Sequence, residues 1–297
     1  MKILIIGATG QLGTELAKII LNKNSKLGLL SPLYNDAIVF HPSSKELDIT
    51  NFELVLSYFK ENSFDIVFNC SALSNVELCE TEHDLAYKLN AYAPELIAKK
   101  CAETGAKFVH FSTDYVFNNH SKLPFSETDL VDPQSVYGQS KAEGERLVLK
   151  VNPNALICRT SWLYGGTGKN FVNTILRLGK EKRELSVVND QFGKPTCVID
   201  LAYIATFLAV TSEKGIIHCT GEGEVVSWFT FAQTIIEEAG IDTVVKPCTS
   251  EEFPSKVLRP KYSALENRRL NLTDLPRFRD WRLAFHEWMQ AELEVKI

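Results

Sequence analysis

Much that would single out a specialised protein is missing from this chain of 297 residues. No apolar run approaches the ~20 residues that cross a membrane. Seven cysteines stand singly at positions 70, 79, 101, 158, 197, 219 and 248, with no CxxC pair, and the six histidines show no HxxxH or HxH spacing. That excludes a disulfide framework or a zinc site and fits reduced thiols, so no metal is expected. A basic surplus is missing too: the net charge is −5, which argues against nucleic acid or an anionic membrane as partner, because phosphates need a basic face. The first apolar run begins at Lys2, leaving no room for a signal peptide, and a cytoplasmic location is expected. There is no internal repeat and no low-complexity tract. The composition, 45% hydrophobic and 23% charged, is that of an ordinary globular enzyme or binding protein.

What is present is a rhythm. Ile3–Ile6, Ala37–Phe40, Asp65–Asn69, Lys107–Phe111 and Ala155–Cys158 are short apolar runs. Between them lie helical patterns: Leu12, Leu16, Ile19 and Ile20; then Phe52, Val55, Leu56 and Phe59; then residues 84–104; then Tyr137–Val151. Apolar runs without alternation, joined by helices, predict an α/β fold with a doubly wound parallel (Rossmann-like) sheet. After about residue 165 glycine, proline and charge become frequent. The expected division is a dinucleotide-binding domain over 1–165, with a return segment near 187–220, and a smaller, mainly substrate-binding domain over 166–297. Trp281, Phe285, Trp288 and Met289 have the helical spacing of a core face.

The first strand runs into Gly7-Ala8-Thr9-Gly10-Gln11-Leu12-Gly13 and then into a helix. In that place Gly7 permits a sharp turn, Gly10 lets a pyrophosphate approach the backbone and Gly13 lets helix and strand pack closely. A turn that needs glycine for shape alone is the plainer alternative. An NAD site carries Asp or Glu after the second strand, where this chain has His41-Pro42-Ser43-Ser44-Lys45. Small hydroxyls beside a lysine tolerate a 2′-phosphate, so NADP(H) is favoured and NAD(H) is left open; the alternative for Ser43 is a solvated loop.

A strand ends in Ser112-Thr113-Asp114-Tyr115, where open α/β sheets place their ligands, and Tyr137-x-x-x-Lys141 follows on a helix. That spacing sets both side chains on one face, one turn apart. An unperturbed tyrosine ionises near pH 10, so acid–base work near neutrality needs a cation beside it, which Lys141 supplies. Thr113 can hydrogen-bond a substrate carbonyl while Tyr137 protonates the alkoxide as hydride arrives. Standing alone, a Tyr-x-x-x-Lys is more often a surface pair.

These motifs together resemble the extended short-chain dehydrogenase/reductases. Within them the chain is similar to the dTDP-4-dehydrorhamnose reductase branch, through GATGQLG (7–13), ELDIT (46–50), FSTDYVF (111–117), VYGQSKAEGE (136–145), RTSWLYG (159–165), NDQFGKPT (189–196) and RPKYSAL (259–265). The resemblance implies NADPH-dependent reduction of a nucleotide-linked 4-keto-6-deoxyhexose with Thr113, Tyr137 and Lys141 as the catalytic set. It implies cofactor contacts from Gly7, Thr9, Gly10, Gln11, Leu12, Gly13, Ser43, Asp48, Ile49, Ser71, Ala72, Leu73, Asn90, Ser112, Tyr137 and Lys141. Substrate contacts fall to Ser74, Thr113, Asp114, Tyr115, Trp162 and Arg259. For Trp162, stacking on a ligand and filling the core are equal alternatives.

Ser74 and Glu77 stand where the family pattern carries Thr and Asp, both near the sugar. Some relatives hold magnesium at a dimer contact. Glu15 matches one ligand there, but Ile199 replaces the second carboxylate, and one carboxylate holds a hard cation poorly. No magnesium is expected, and the assembly is read as monomer or homodimer. Two further readings remain open: a reductase or epimerase-reductase of another nucleotide sugar, and a non-catalytic NADP-binding regulatory subunit.

Overall fold

The computed structural model describes residues 1–118, 123–166, 168–253, 255 and 257–294. Its centre is a sheet of six parallel strands: β1 (Lys2–Ile6), β2 (Ile38–Phe40), β3 (Ile66–Asn69), β4 (Lys107–Thr113), β5 (Leu156–Thr160) and β6 (Gly215–His218). Across the sheet they run β6-β5-β4-β3-β1-β2, with every neighbouring pair parallel. The chain switches direction across the sheet at β1, the position where such sheets open a ligand crevice.

Successive side chains of β1 feed different cores, because a strand alternates faces. Ile3 and Ile5 join Leu12, Leu16 and Ile19 of α1 (Gln11–Asn22) and the buried helix at Val198–Ala209. Leu4 and Ile6 join Val55 and Phe59 of α2 (Phe52–Glu61), Ile97 and Ala98 of α3 (Ala93–Thr104) and Val148 of α4 (Val136–Val151). Helices thus cover both faces, and the α/β, doubly wound expectation holds. β2 is an edge strand, and its Ile38 is 57% exposed, so that apolar run is less buried than its composition suggests.

The helical pattern at 84–104 is interrupted. A turn of π-helix over Lys88–Tyr92 joins His83–Tyr87 to α3 and carries Asn90. Beyond β5 the chain builds a flank of helices and small sheets. α5 (Phe171–Glu181) packs against α7 (Trp228–Glu238), and Glu184–Val188 pairs in parallel with Val244–Cys248. Between these, β6 adds to the edge of the main sheet and α6 (Val198–Ala209) packs on α1. Trp281, Phe285, Trp288 and Met289 are buried on α8 (Trp281–Glu294).

A buried ion pair holds α4 against the sheet. Arg159 of β5 donates to Glu145 of α4 through Nε (2.8 Å) and Nη2 (2.6 Å), and its guanidinium lies 5.0 Å from the centre of the Phe117 ring. Removing one member of a buried pair leaves an uncompensated charge, at about 3–5 kcal/mol. Arg159→Met is therefore expected to lower Tm by about 10 °C in a thermal melt, at roughly 2–4 °C per kcal/mol. A melt within about 2 °C of wild type would contradict this account of the pair.

Candidate functional site

Gly7 sits at φ +78°, and a Cβ there would lie 2.8 Å from the Ser71 backbone nitrogen, so the turn after β1 nests against the chain leaving β3. A Cβ on Gly13 would lie 2.3 Å from the Gly7 carbonyl oxygen, so helix and turn approach as only glycine allows. The N-terminus of α1 follows with Gly10 as its cap and no side-chain cap, which leaves its first N–H groups and the positive end of its dipole facing a cavity of about 610 Å³.

That cavity runs along the ends of β1, β3, β4 and β5. Its wall includes Gly7, Thr9, Gly10, Gln11 and Leu12, then Ser71, Ala72 and Ser74, then Ser112, Thr113, Asp114, Tyr115, Tyr137 and Lys141, and Trp162. The glycine turn and the Thr/Tyr/Lys set, read separately from the sequence, therefore face one space. Gly13, Ser43, Asp48, Ile49, Leu73, Asn90 and Arg259 stand outside its wall.

Their own bonds say what these residues do in this structure. Ser43 is tied to Glu46, which accepts from both its N–H and its hydroxyl at 2.8 Å. Asp48 accepts from the N–H and hydroxyl of Thr50. Asn90 spends its carboxamide on the frame: its Oδ1 accepts from Leu73 N–H (2.8 Å), and its Nδ2 donates to the Leu73 carbonyl (3.1 Å) and to Ser140 Oγ on α4 (3.0 Å). It clamps the segment after β3 to the helix that carries Tyr137. Arg259 lines a second cavity of about 370 Å³, donating to Tyr115 Oη at 3.4 Å and to Glu77 at 2.6 Å. Tyr115, in the wall of the first cavity, is thus bonded to a residue of the second.

The N-terminus of α4 is set by two caps. Ser135 Oγ accepts from Gly138 N–H, and Glu80 accepts from Val136 N–H at 2.8 Å. Tyr137 then stands in edge contact with Tyr115, ring centres 5.5 Å apart. Burial pushes its phenol up, partly offset by a hydrogen bond with Thr113, so it holds its proton firmly in the absence of a ligand. Lys141 is only 2% exposed, and burial pulls its amine down to about 8, against the pull of Glu145. Its Nζ lies 2.5 Å from the Phe111 carbonyl. Thr113 donates to Asp114 Oδ1 (3.1 Å) and accepts from Tyr115 N–H. Burial lifts Asp114 to about 6, against the hydrogen bonds of Ser263 and Thr113.

Sequence reasoning passed over part of the wall. Trp162 holds φ +46°, a left-handed conformation unusual for a bulky residue, and its ring stacks on Trp228 with centres 3.4 Å apart. Phe171 lies 4.4 Å from Trp228, centre to centre. Trp162 therefore lines the cavity as part of an aromatic wall rather than filling the main core. Lys169 and Asn170 also line it, with Asn170 Oδ1 capping α5. An asparagine directly ahead of the apolar Phe171-Val172 is a signal that could have found the Asn170 cap; the Trp162–Trp228 pairing, between distant positions, has no local signal.

Five buried side-chain polar atoms lack a protein partner among the described residues: Gln11 Nε2, Ser112 Oγ, Thr160 Oγ1, Tyr164 Oη and Asn170 Nδ2. All five belong to residues of this one cavity. A buried unpaired polar group costs about 1–3 kcal/mol, so their convergence marks a place built for a polar ligand. A dinucleotide fits: it has phosphates for the α1 terminus and amide and hydroxyl groups for these atoms. No cluster of metal-ligating side chains occurs among the described residues. Asp200, beside Ile199, is paired with Arg279, and Glu15 is paired with Lys18.

The family described as "RmlD substrate binding domain" matches residues 1–293. The chain is 38% identical to the spore coat polysaccharide biosynthesis protein SpsK of Bacillus subtilis, over 97% of each. It superposes on a dTDP-4-dehydrorhamnose reductase from Clostridium acetobutylicum with a TM-score of 0.91, at 43% identity, covering 99% of this chain and 100% of that one. It also superposes on the dTDP-4-dehydrorhamnose reductase of Bacillus anthracis, solved in complex with NADP, with a TM-score of 0.89 at 36% identity and coverage of 98% and 99%.

Proposed function

The chain belongs to the RmlD substrate binding domain family, within the extended short-chain dehydrogenase/reductases, and we propose that it is an NADPH-dependent reductase of a dTDP-linked 4-keto-6-deoxyhexose, with dTDP-4-dehydro-L-rhamnose as substrate and dTDP-L-rhamnose as product. The observation that carries this reading is the shared cavity. A free helix N-terminus and the Thr113/Tyr137/Lys141 set line it, together with the residues that carry the five unpaired polar atoms.

In this reading residues 1–165 hold the dinucleotide along the Gly7–Gly13 turn and the Ser71–Ala72 segment, and residues 166–297 supply most of the sugar-nucleotide site. When bound, the nicotinamide cofactor supplies a hydride. Thr113 orients the carbonyl oxygen, for which its hydroxyl must turn from Asp114, and Tyr137 gives its proton to that oxygen as charge develops there. The buried phenol holds its proton firmly in the resting state and is a weak acid, so it needs the Lys141 cation beside it at the moment of transfer. Arg259, now on Glu77, offers a guanidinium for the sugar-nucleotide diphosphate, and Trp162 with Trp228 offers a flat apolar face. A purely regulatory NADP-binding subunit needs no buried tyrosine–lysine pair, which disfavours that alternative.

The test is NADPH consumption at 340 nm with dTDP-4-dehydro-L-rhamnose, run beside NADH and a UDP-linked 4-keto sugar. Rapid oxidation with the dTDP sugar is expected. Oxidation only with the UDP sugar would move the assignment to another carrier, and none with either would remove it.

A further inference from the structure

Behind the cavity wall lies a buried polar chain. The N–H and Oγ of Ser71 donate to Asn69 Oδ1 at 3.3 and 2.5 Å. Asn69 Nδ2 lies 3.2 Å from His110 Nδ1, and His110 Nε2 lies 3.2 Å from Lys141 Nζ. Asn69, His110 and Lys141 are all at most 2% exposed, while Ser71 lines the cavity.

The direction of each bond follows from one group that has no choice. A backbone N–H only donates, so the atom of Asn69 facing Ser71 is its oxygen, and the atom facing His110 is its amide nitrogen. That nitrogen also only donates, so His110 Nδ1 is the lone-pair nitrogen. A neutral imidazole then carries its proton on Nε2, aimed at Lys141. The ring is neutral because burial holds its pKa well below the ordinary value. An ammonium has no lone pair to accept that proton; a neutral amine accepts it and still donates to the Phe111 carbonyl.

We propose that the Ser71–Asn69–His110 chain biases the charge of Lys141: with the N–H and hydroxyl of Ser71 on Asn69 it favours the neutral amine, and a phosphate- or ribose-bearing ligand that draws both groups off Asn69 lets the carboxamide turn over and favours the ammonium. This rests on the dinucleotide reading of the cavity. After reversal Nδ1–H donates to Asn69 Oδ1, and Nε2 accepts from Lys141. The Nε2 proton has passed to Nζ and Nδ1 has taken one from solvent, so one proton is gained in all. His110 and Asn69 are positioning residues, acting on the reaction only through Lys141. The other titratable groups around Lys141 are Tyr137 and Glu145 on its own helix, with Glu145 tied to Arg159 of β5, and Asp114 beyond the end of β4, held by Ser263 and Thr113. Asp114, Tyr137 and Lys141 itself line the same cavity as Ser71, so a ligand reaches Lys141 directly as well as through the chain that begins at Ser71.

The test is the titration of Lys141 by NMR of lysine-labelled protein, its signal assigned through Lys141→Arg, with and without NADPH. In the free wild type the amine is expected to titrate near 8, and NADPH to move the midpoint up by about one unit or more. In Asn69→Asp the carboxylate can only accept, which fixes the reversed direction. Its free-protein midpoint should already be raised, and NADPH should add less than it does in wild type. His110→Phe, whose ring keeps the stack on Phe108, cuts the chain and should reduce the NADPH shift of Lys141 to the part that comes from its direct contact with the cofactor. An Asn69→Asp midpoint equal to wild type, or an NADPH shift as large in His110→Phe as in wild type, would overturn the proposal. If NADPH binds tightly to wild type without moving Lys141, the proposal fails while the cofactor reading stands. If NADPH does not bind, the cofactor reading and the switch built on it both fail.

Discussion

Replacing Tyr137 by Phe is expected to lower kcat by about 10²–10⁴-fold, the usual contribution of a positioned general acid. The Kd for NADPH should stay within about threefold of wild type, because only a hydroxyl is removed. The ring remains to pack against Tyr115, so fold and cavity survive. The loss falls on the step in which the substrate oxygen takes its proton, and single-turnover kinetics should place it there and not on binding. Turnover near wild type would remove Tyr137 from the mechanism. An equal loss of NADPH affinity would mean that the hydroxyl serves the cofactor rather than the proton.

Lys141→Met is expected to damage two measurements at once. Methionine matches the length of the buried stem but carries no charge, so the neighbouring phenolate loses the cation that offsets it. A fall in kcat/KM of about 10²–10³-fold is expected, in the range of a lost charged hydrogen bond plus the unfavourable shift of the Tyr137 phenol. In the proposed site the same ammonium holds the cofactor ribose, so the Kd for NADPH should rise by about tenfold. Fluorescence titration separates the two effects. Unchanged affinity with a lowered rate would reject the ribose contact while keeping the electrostatic one. The pH profile should change as well: with the ammonium gone, the limb of the rate profile that titrates with Lys141 disappears in the variant.

Much of this architecture was legible because it is local. A strand, Gly7–Gly13 and an amphipathic helix form one βα unit, and Tyr137 and Lys141 share a face of α4 by spacing alone. The sheet followed from apolar runs joined by helices. What was not legible depends on geometry that spacing does not carry. The run 84–104 reads as one regular helix, yet a π-turn at Lys88–Tyr92 carries the Asn90 carboxamide that grips both backbone groups of Leu73. Periodicity by three and four cannot reveal that extra residue. Trp162 and Trp228 are 66 positions apart and meet only because the flank beyond β5 folds back over the crevice. His110 reads as one more residue of a buried strand, and nothing local marks it as the partner of Lys141. Asp48 and Ile49 lie outside the wall of the described cavity, so the cofactor contact inferred for them rests on the resemblance.

The central claim is that the cavity delivers hydride to the C4 carbonyl of a dTDP-linked sugar. Its most direct test is the reaction with NADPH deuterated on the transferring face of the nicotinamide, followed by NMR of the product. dTDP-L-rhamnose carrying deuterium at C4 is the expected result. Deuterium at another carbon, or its absence from the product, would contradict the account.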